Sequence, residues 1–164
     1  MDQTARFAMP LLAPGQSQKE WFHNEALQTV DALLCAVVEG PPVTQPPTNP
    51  VEGQCFIVAS GGGGAWAGKD GSLAAFTQGG WRFIAPRDGL RAVDRASGRT
   101  LLRRNGDWES GVVRAQEVRI ADQTVVRERQ AAVAAPTGGT TVDAECRSAV
   151  AALLAALQAH GLIG

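Results

Sequence analysis

The sequence predicts an α+β chain with an N-terminal helix, a small antiparallel β-meander or barrel-like domain, and a C-terminal amphipathic helix. Apolar residues have helical spacing near both ends, and short apolar runs between glycine-rich turns fill the middle. A proline-rich stretch lies between the first helix and the β region. We therefore expect four segments: an arm and helix (1–40), a spacer (41–50), a β domain (51–134), and a loop with the last helix (135–164).

The first helix has clear boundary signals. Ser17 and Glu20 have the spacing of a capping box, in which the two side chains satisfy free backbone amides at a helix start. Gly40 and the prolines after it predict an end near Val38. The 3-4-3 spacing predicts one buried stripe, made of Leu27, Val30, Leu34 and Val37.

Residues 41–50 hold five of the nine prolines of the chain. Such a stretch is stiff, extended and poor in backbone donors. A polyproline ligand for an SH3-like partner is an alternative to a spacer, and we favour the spacer.

The middle of the chain reads as β. Apolar runs at 55–59, 73–77, 81–85, 90–94, 100–103, 112–114, 118–120 and 125–127 predict short strands. The turns between them include the pairs Gly79-Gly80 and Asn105-Gly106, which are typical of tight hairpins because those turns need positive φ. Trp66, Trp81 and Trp108 each follow a glycine-rich turn, which suggests that each anchors the start of a strand.

The last helix is expected from about Val142 to His160, with Gly161 as its C′ residue. Its 4-3-4-3 spacing predicts a short coiled-coil seam, made of Cys146, Val150, Leu153, Leu157 and His160. This stripe either packs on the β domain of its own chain or joins copies of the chain. We favour self-association, because a Gly- and Thr-rich loop (137–141) detaches the helix.

Composition excludes several classes of protein. The net charge of −1 predicts no strong attraction to nucleic acid or to an anionic membrane, and no apolar run is long enough to cross a bilayer. The N-terminus lacks a basic region followed by an apolar core, so we expect no signal peptide and synthesis in a bacterial cytoplasm. Three widely spaced cysteines are expected to be small buried side chains, with a disulfide or metal role as the alternative.

No catalytic constellation can be assembled, so we expect no enzyme, no metal and no cofactor. The two histidines, His23 and His160, are far apart and fit no metal-ligand spacing. The glycine run at 60–64 lacks the Lys-Ser/Thr ending of a phosphate loop. Acidic pairs such as Asp107 and Glu109 have a glycosidase alternative, and solvated charges are the favoured interpretation.

Glycan binding has five candidate residues: Trp66, Trp81, Trp108, Arg82 and Arg87. Tryptophan rings stack on sugars, and arginine suits carboxylate and phosphate groups. The alternatives are hairpin anchors for the tryptophans and a solvated face for the arginines. A polyanion ligand is a further possibility, because seven arginines fall between residues 82 and 104.

Parts of the chain resemble a domain of unknown function found in tail-fibre and spike-like proteins of bacterial prophages and gene transfer agents. The resemblance covers roughly residues 7–90 and rests on MPLLAPGQSQKE at 9–20, HNEAL at 23–27, PVEGQCFIV at 50–58, GAWAG at 64–68 and GWRF at 80–83. It departs from the family pattern at Trp21 and Phe22, where smaller residues are usual.

The C-terminal residues 135–145 and 159–163 are similar to the end segment of phage tail-fibre proteins, which sits at the end of trimeric fibres. Together the two resemblances imply a structural or receptor-binding subunit of a phage-like particle, with no catalytic residues to carry over. The expected partners are copies of the chain, with a trimer favoured, other tail or spike proteins, and a cell-surface polysaccharide. The alternatives are an adaptor without receptor contact and a capsule-degrading enzyme.

Overall fold

The structure is a computed structural model that describes residues 2–15, 19–135, 137 and 143–163. Its contacts divide the chain into two compact units, Met1–Val112 and Val113–Gly164. The predicted α+β class is confirmed, with helices at both ends and mostly antiparallel sheets between them. The barrel-like form is wrong, because all sheets among the described residues are open. The division of the chain into the four segments 1–40, 41–50, 51–134 and 135–164 remains a prediction.

The described part of the first unit contains one α-helix and two sheets. The helix is α1 (Lys19–Leu33). The four-stranded sheet has the order β1-β5-β6-β7, and its strands are β1 (Val37–Val38), β5 (Arg91–Asp94), β6 (Thr100–Arg104) and β7 (Asp107–Ser110). The three-stranded antiparallel sheet has the order β2-β3-β4, and its strands are β2 (Cys55–Ile57), β3 (Leu73–Thr77) and β4 (Gly80–Ile84). Strand β1 runs parallel to β5, and the other pairs are antiparallel.

Helix α1 ends earlier than predicted, at Leu33 instead of Val38. Cys35 has a φ of +49°, which interrupts the helix, and Val38 then pairs with Asp94 in the sheet. The β-branched valines are well suited to this strand. The guanidinium of Arg6 donates hydrogen bonds to the carbonyls of Asp31, Ala32 and Cys35, so an arginine from the N-terminal arm caps the helix end.

The predicted buried stripe of α1 is also wrong. Asp31 and Ala32 are the buried helix residues, whereas Val30 and Leu34 are about half exposed and Val37 lies in β1. The apolar pattern predicted the wrong buried side of α1, because residues of the N-terminal arm contact Asp31 and cover that side of the helix. Of the predicted capping box, Ser17 lies outside the described residues.

The predicted hairpin turns have mixed outcomes. Asn105-Gly106 joins β6 to β7 with φ values of +51° and +85°. The turn from β3 to β4 is Gln78-Gly79 instead of Gly79-Gly80, because Gly80, with a φ of +91°, is already in β4 and pairs with Thr77. The glycine run at 60–64 makes no hairpin, because it leads into a 3-10 helix (Gly64–Trp66) within the long connection from β2 to β3. The strand expected at 112–114 is wrong. The apolar runs missed β1, which was assigned to the helix, and β7, in which Asp107 and Glu109 break the apolar pattern.

The core of the first unit has two clusters. One joins both sheets to the end of α1 and includes Val38, Cys55, Ile57, Leu73 and Leu101. The other contains Val58, Trp66 and Ala74. The proline-rich stretch is bound to β2: Val43 donates to the carbonyl of Ile57 and accepts from the amide of Ala59. Val43 therefore pairs with the sheet edge beside β2, and the neighbouring prolines, which have no backbone donor, are tolerated at such an edge.

The second unit contains a hairpin and a helix. The hairpin consists of β8 (Val118–Ile120) and β9 (Gln123–Val126), joined by Ala121 and Asp122 in the left-handed region. Helix α2 (Ala144–Ala159) begins at Asp143, whose carboxylate accepts from the amide of Cys146. Gly161, with a φ of +71°, ends it as predicted. The backbone of Gln130 pairs in parallel with Ile163 beyond the helix.

Candidate functional site

Two of the three candidate tryptophans belong to one aromatic cluster of the first unit. Trp66 is 0% exposed and packs edge-on against Trp81, with ring centroids 5.1 Å apart. Trp81 also contacts Phe56 and Phe76 edge-on. Because the ring of Trp66 has no exposed face, it offers no stacking surface to a sugar in this conformation.

Trp108 lies apart from those two, against the other core cluster. Its indole N–H donates a 2.8 Å hydrogen bond to the carbonyl of Gly71, which ties β7 to the loop before β3. The guanidinium of Arg103, directly opposite on β6, lies 6.0 Å from the ring centroid. The structure therefore does not bring the three tryptophans into one platform.

The two candidate arginines have different environments. Arg82 on β4 forms a two-pronged ion pair with Glu25 on α1, with Nε–Oε2 and Nη2–Oε1 distances of 2.8 Å. This geometry is typical of a strong arginine–carboxylate contact, and it links the helix to the sheet. Arg87 is exposed. The part of Arg82 that would bind a glycan is thus already occupied by a carboxylate.

An open cleft of about 540 Å³ lies beside Trp108. Its polar lining includes Ser60, Asp70, Arg103 and Asp107. The backbone amides of Gly61 and Gly62 donate to the Asp70 carboxylate, and these hydrogen bonds hold the pKa of Asp70 below its ordinary value of 3.8. Asp70 therefore stays ionised at neutral pH.

Sequence reasoning missed the cleft, although part of its signal was readable. The Asn105-Gly106 turn sets the hairpin register, and that register places Arg103 opposite Trp108. Asp70 and Gly71 could not be placed beside them from the sequence, because they come from a loop of another sheet.

The histidines do not form a site. His23 on α1 and His160 at the end of α2 are both exposed and belong to different units. Among the described residues, no group of three or more His, Cys, Asp or Glu side chains is placed to hold a metal ion. No helix in the described part of the chain is long and apolar enough to cross a membrane.

The predicted seam of α2 lies on the surface of the second unit. Helix α2 has no buried residue, and Leu153 is 62% exposed. Cys146, Val150 and His160 are exposed as well, and Leu157 is partly buried. The seam is therefore available to another chain, and its role in assembly stays a prediction.

A second exposed apolar feature is found on α1. Trp21 and Phe22 are 61% and 68% exposed and pack edge-on against each other, with ring centroids 4.9 Å apart. Their exposure shows that these large side chains place no strain on the core.

A known protein family matches the middle part of the chain. Residues 23–109, which are 87 of the 164 residues, match a family described as protein of unknown function (DUF2793). No curated protein matches the chain. The matched range covers β1 to β6, most of α1 and most of β7, and so includes both sheets of the first unit. The expected domain of unknown function is thereby confirmed: the chain belongs to the DUF2793 family.

Proposed function

We propose that the chain is a structural and receptor-binding subunit of a phage-like particle, a tail fibre or spike, that works as a homo-oligomer and contacts a cell-surface glycan. A trimer is the favoured state, with other tail or spike proteins as neighbours. The resemblance of residues 7–90 and of the C-terminal segment to phage proteins supports the particle. The exposed apolar surface of the second unit supports assembly, and it is the observation that carries the proposal.

The second unit buries almost none of its own apolar side chains. Among its described residues, Ile163 alone is buried. Large apolar side chains are exposed on the hairpin, on the segments around it and on α2: Val113, Val118, Ile120, Val125, Val126, Val133, Val150, Leu153 and Leu162. A segment this short needs a buried core to offset the conformational entropy lost on folding. Its fold therefore requires a surface supplied from outside the unit.

Copies of the same chain suit that surface. The charged residues of α2 are one glutamate, Glu145, and one arginine, Arg147, so neighbouring copies of the helix do not repel each other. Its 4-3-4-3 seam matches the knobs-into-holes spacing of parallel helices. Burial of each leucine-sized side chain contributes about 1.5–3 kcal/mol. Since the seam spans little more than two heptads, the hairpin surface must contribute to the interface too.

The test is the solution mass of the full chain by size-exclusion chromatography with light scattering. We expect a mass of three chains, and a single chain for Leu153→Glu. Ala155→Glu is the matched control, since it adds the same charge two residues away on the opposite side of α2. Tryptophan fluorescence checks folding of the first unit, because all four tryptophans lie between residues 21 and 108. A monomeric wild-type chain would overturn the assembly proposal.

The second candidate function is a structural adaptor that joins a fibre to the particle without contacting a receptor. The burial of Trp66 and the ion pair of Arg82 with Glu25 favour this function, because both make predicted glycan-binding side chains inaccessible to a ligand. The adaptor predicts the same oligomer and no glycan binding, so a binding measurement separates the two functions.

A further inference from the structure

The cleft beside Trp108 has two walls. Pro42, Val58 and Ala59 form an apolar side, and the hairpin of β6 and β7 forms the other. Its volume of about 540 Å³ lies within the range of roughly 300–1,000 Å³ that is typical of small-ligand sites. The hydrogen bond from Trp108 to Gly71 ties this hairpin to the loop before β3, so the protein itself holds this side of the cleft in place.

Arg103 brings donors to this cleft that the protein does not use. It is partly buried, and its guanidinium lies over the ring of Trp108. Among the described residues, no carboxylate pairs with it and no side-chain or carbonyl oxygen accepts from it, in contrast to Arg82 and Arg95. The guanidinium has five N–H donors, and none of its nitrogens is a buried atom without a partner, so these donors reach the open cleft. Acceptors supplied by a ligand would satisfy them.

The charges of the lining decide which ligand chemistry fits. Two carboxylates, Asp70 and Asp107, face one guanidinium, that of Arg103, so the cleft carries one net negative charge. A polyanion is disfavoured at such a site by Coulomb repulsion. Carboxylates accept hydrogen bonds from hydroxyl groups, and arginine donates to hydroxyl oxygens. A ligand rich in hydroxyls and without charge satisfies all three groups.

We propose that this cleft binds a neutral saccharide. Sugar hydroxyls donate to Asp70 and Asp107 and accept from Arg103, while the C–H groups of the sugar ring contact the exposed edge of Trp108 and the apolar wall. This inference rests on the proposed receptor-binding function and names its ligand class. It moves the glycan site away from Trp66 and Arg82 to a cleft whose charged residues were not among the candidates.

The test uses the full chain on an array of immobilised neutral polysaccharides, such as dextran and galactomannan, with polygalacturonate as the acidic arm. We expect at least one neutral glycan to bind and polygalacturonate to bind at least tenfold more weakly. Arg103→Met keeps the aliphatic stem over Trp108 and removes the donors, so it should weaken binding at least tenfold. Arg104→Met is the matched control, because its side chain is exposed and is not part of the cleft lining.

Every outcome decides the proposal. If Arg103→Met and Arg104→Met lose glycan binding equally, or if polygalacturonate binds more tightly than the neutral glycans, the binding site is a diffuse basic surface and the proposed cleft site is wrong. No binding to any neutral glycan overturns the proposal as well. Light scattering on the same samples separates this failure from that of the proposed function: an intact oligomer without glycan binding leaves the structural adaptor standing.

Discussion

The hydroxyl of Thr4 donates a 2.6 Å hydrogen bond to Oδ1 of Asp31, and both residues are buried. Asp31 also accepts from the backbone amides of Arg6 and Phe7, while Arg6 caps the end of the same helix. The N-terminal arm is therefore held to α1 by one buried carboxylate. Because this carboxylate has three donors from the arm, the arm is an integral part of the first unit.

Removal of this carboxylate should destabilise the first unit strongly. Asp31→Ala leaves the Thr4 hydroxyl and two backbone amides without an acceptor, which we expect to lower the free energy of unfolding by about 3 kcal/mol. Thr4→Val removes the hydroxyl at nearly constant shape and should cost about 1.5 kcal/mol. Urea unfolding followed by tryptophan fluorescence measures both.

Thr4→Ser is the control for this prediction, since it keeps the hydroxyl and loses only a methyl group. If Thr4→Val and Thr4→Ser lower stability equally, the effect belongs to packing and not to the hydrogen bond with Asp31.

The boundary of α1 shows what sequence patterns can predict here. The helix itself was readable, because no Gly or Pro interrupts residues 19–33. Its end at Leu33 could not be predicted, because it depends on contacts with Arg6 and on the pairing of Val38 with Asp94, and Arg6 and Asp94 are far from Leu33 in the sequence. The same contacts explain why an apolar stripe pointed to the wrong face: the buried position is an aspartate.

The prediction of glycan-binding residues was also limited by contacts between residues far apart in the sequence. Residue type correctly placed Trp81 and Trp108 near strand starts, whereas Trp66 lies in a 3-10 helix. Local register linked Arg103 with Trp108. Whether each ring is buried, and whether each arginine has a carboxylate partner, depends on non-local packing. Glu25 neutralises Arg82 from 57 residues away, and no local pattern carries that information.

A second prediction concerns the glycine run. A Cβ at Gly62 would lie 2.7 Å from Cγ1 of Val58 and 2.8 Å from the carbonyl oxygen of Trp66. Since one of these atoms belongs to the backbone, Gly62→Ala must shift the loop, and we expect a loss of about 2 kcal/mol in the urea unfolding of the first unit.

Gly40→Ala is the matched control, because its Cβ would have nothing within 4 Å and its φ is not positive. We expect a change below about 0.5 kcal/mol. Equal stability of the two variants would mean that the loop at Gly62 accommodates a side chain.

A third prediction concerns thiol reactivity. Burial raises the pKa of Cys55 to about 11, and its side chain is 0% exposed, so the reactive thiolate is rare and shielded at neutral pH. Cys35 is exposed. In labelling with iodoacetamide at neutral pH, followed by peptide mass spectrometry, Cys35 should react rapidly and Cys55 only after unfolding. Rapid labelling of Cys55 in the native chain would contradict its burial.

The third cysteine reports on assembly in the same experiment. Cys146 is exposed on α2 and belongs to the proposed seam. We expect it to react at least several-fold more slowly in the wild-type chain than in Leu153→Glu, while Cys35 reacts equally in both. Equal rates for Cys146 in the two chains would argue against a seam that covers it.

The last prediction is a pH dependence centred on Asp94, the last residue of β5, which is 5% exposed. The hydroxyl of Ser97 donates a 2.6 Å hydrogen bond to its carboxylate, and the amide of Ala96 donates one of 2.9 Å. These hydrogen bonds, above all the one from Ser97, hold the pKa of Asp94 below its ordinary value of 3.8. A pKa lowered by folding adds stability at a pH above the unfolded value. That contribution is lost as the pH falls through the folded value.

The urea concentration at the unfolding midpoint, measured from neutral pH to the acid limit of folding, should therefore decrease once the pH is below about 4. Asp94→Asn should be less stable than the wild-type chain above that pH, and the difference should shrink as the pH falls. Ser97→Ala removes the largest cause of the low pKa and should reproduce part of this effect with the carboxyl still present. A constant difference across the whole range would mean that Asp94 stabilises the turn by shape and hydrogen bonding alone, without its charge.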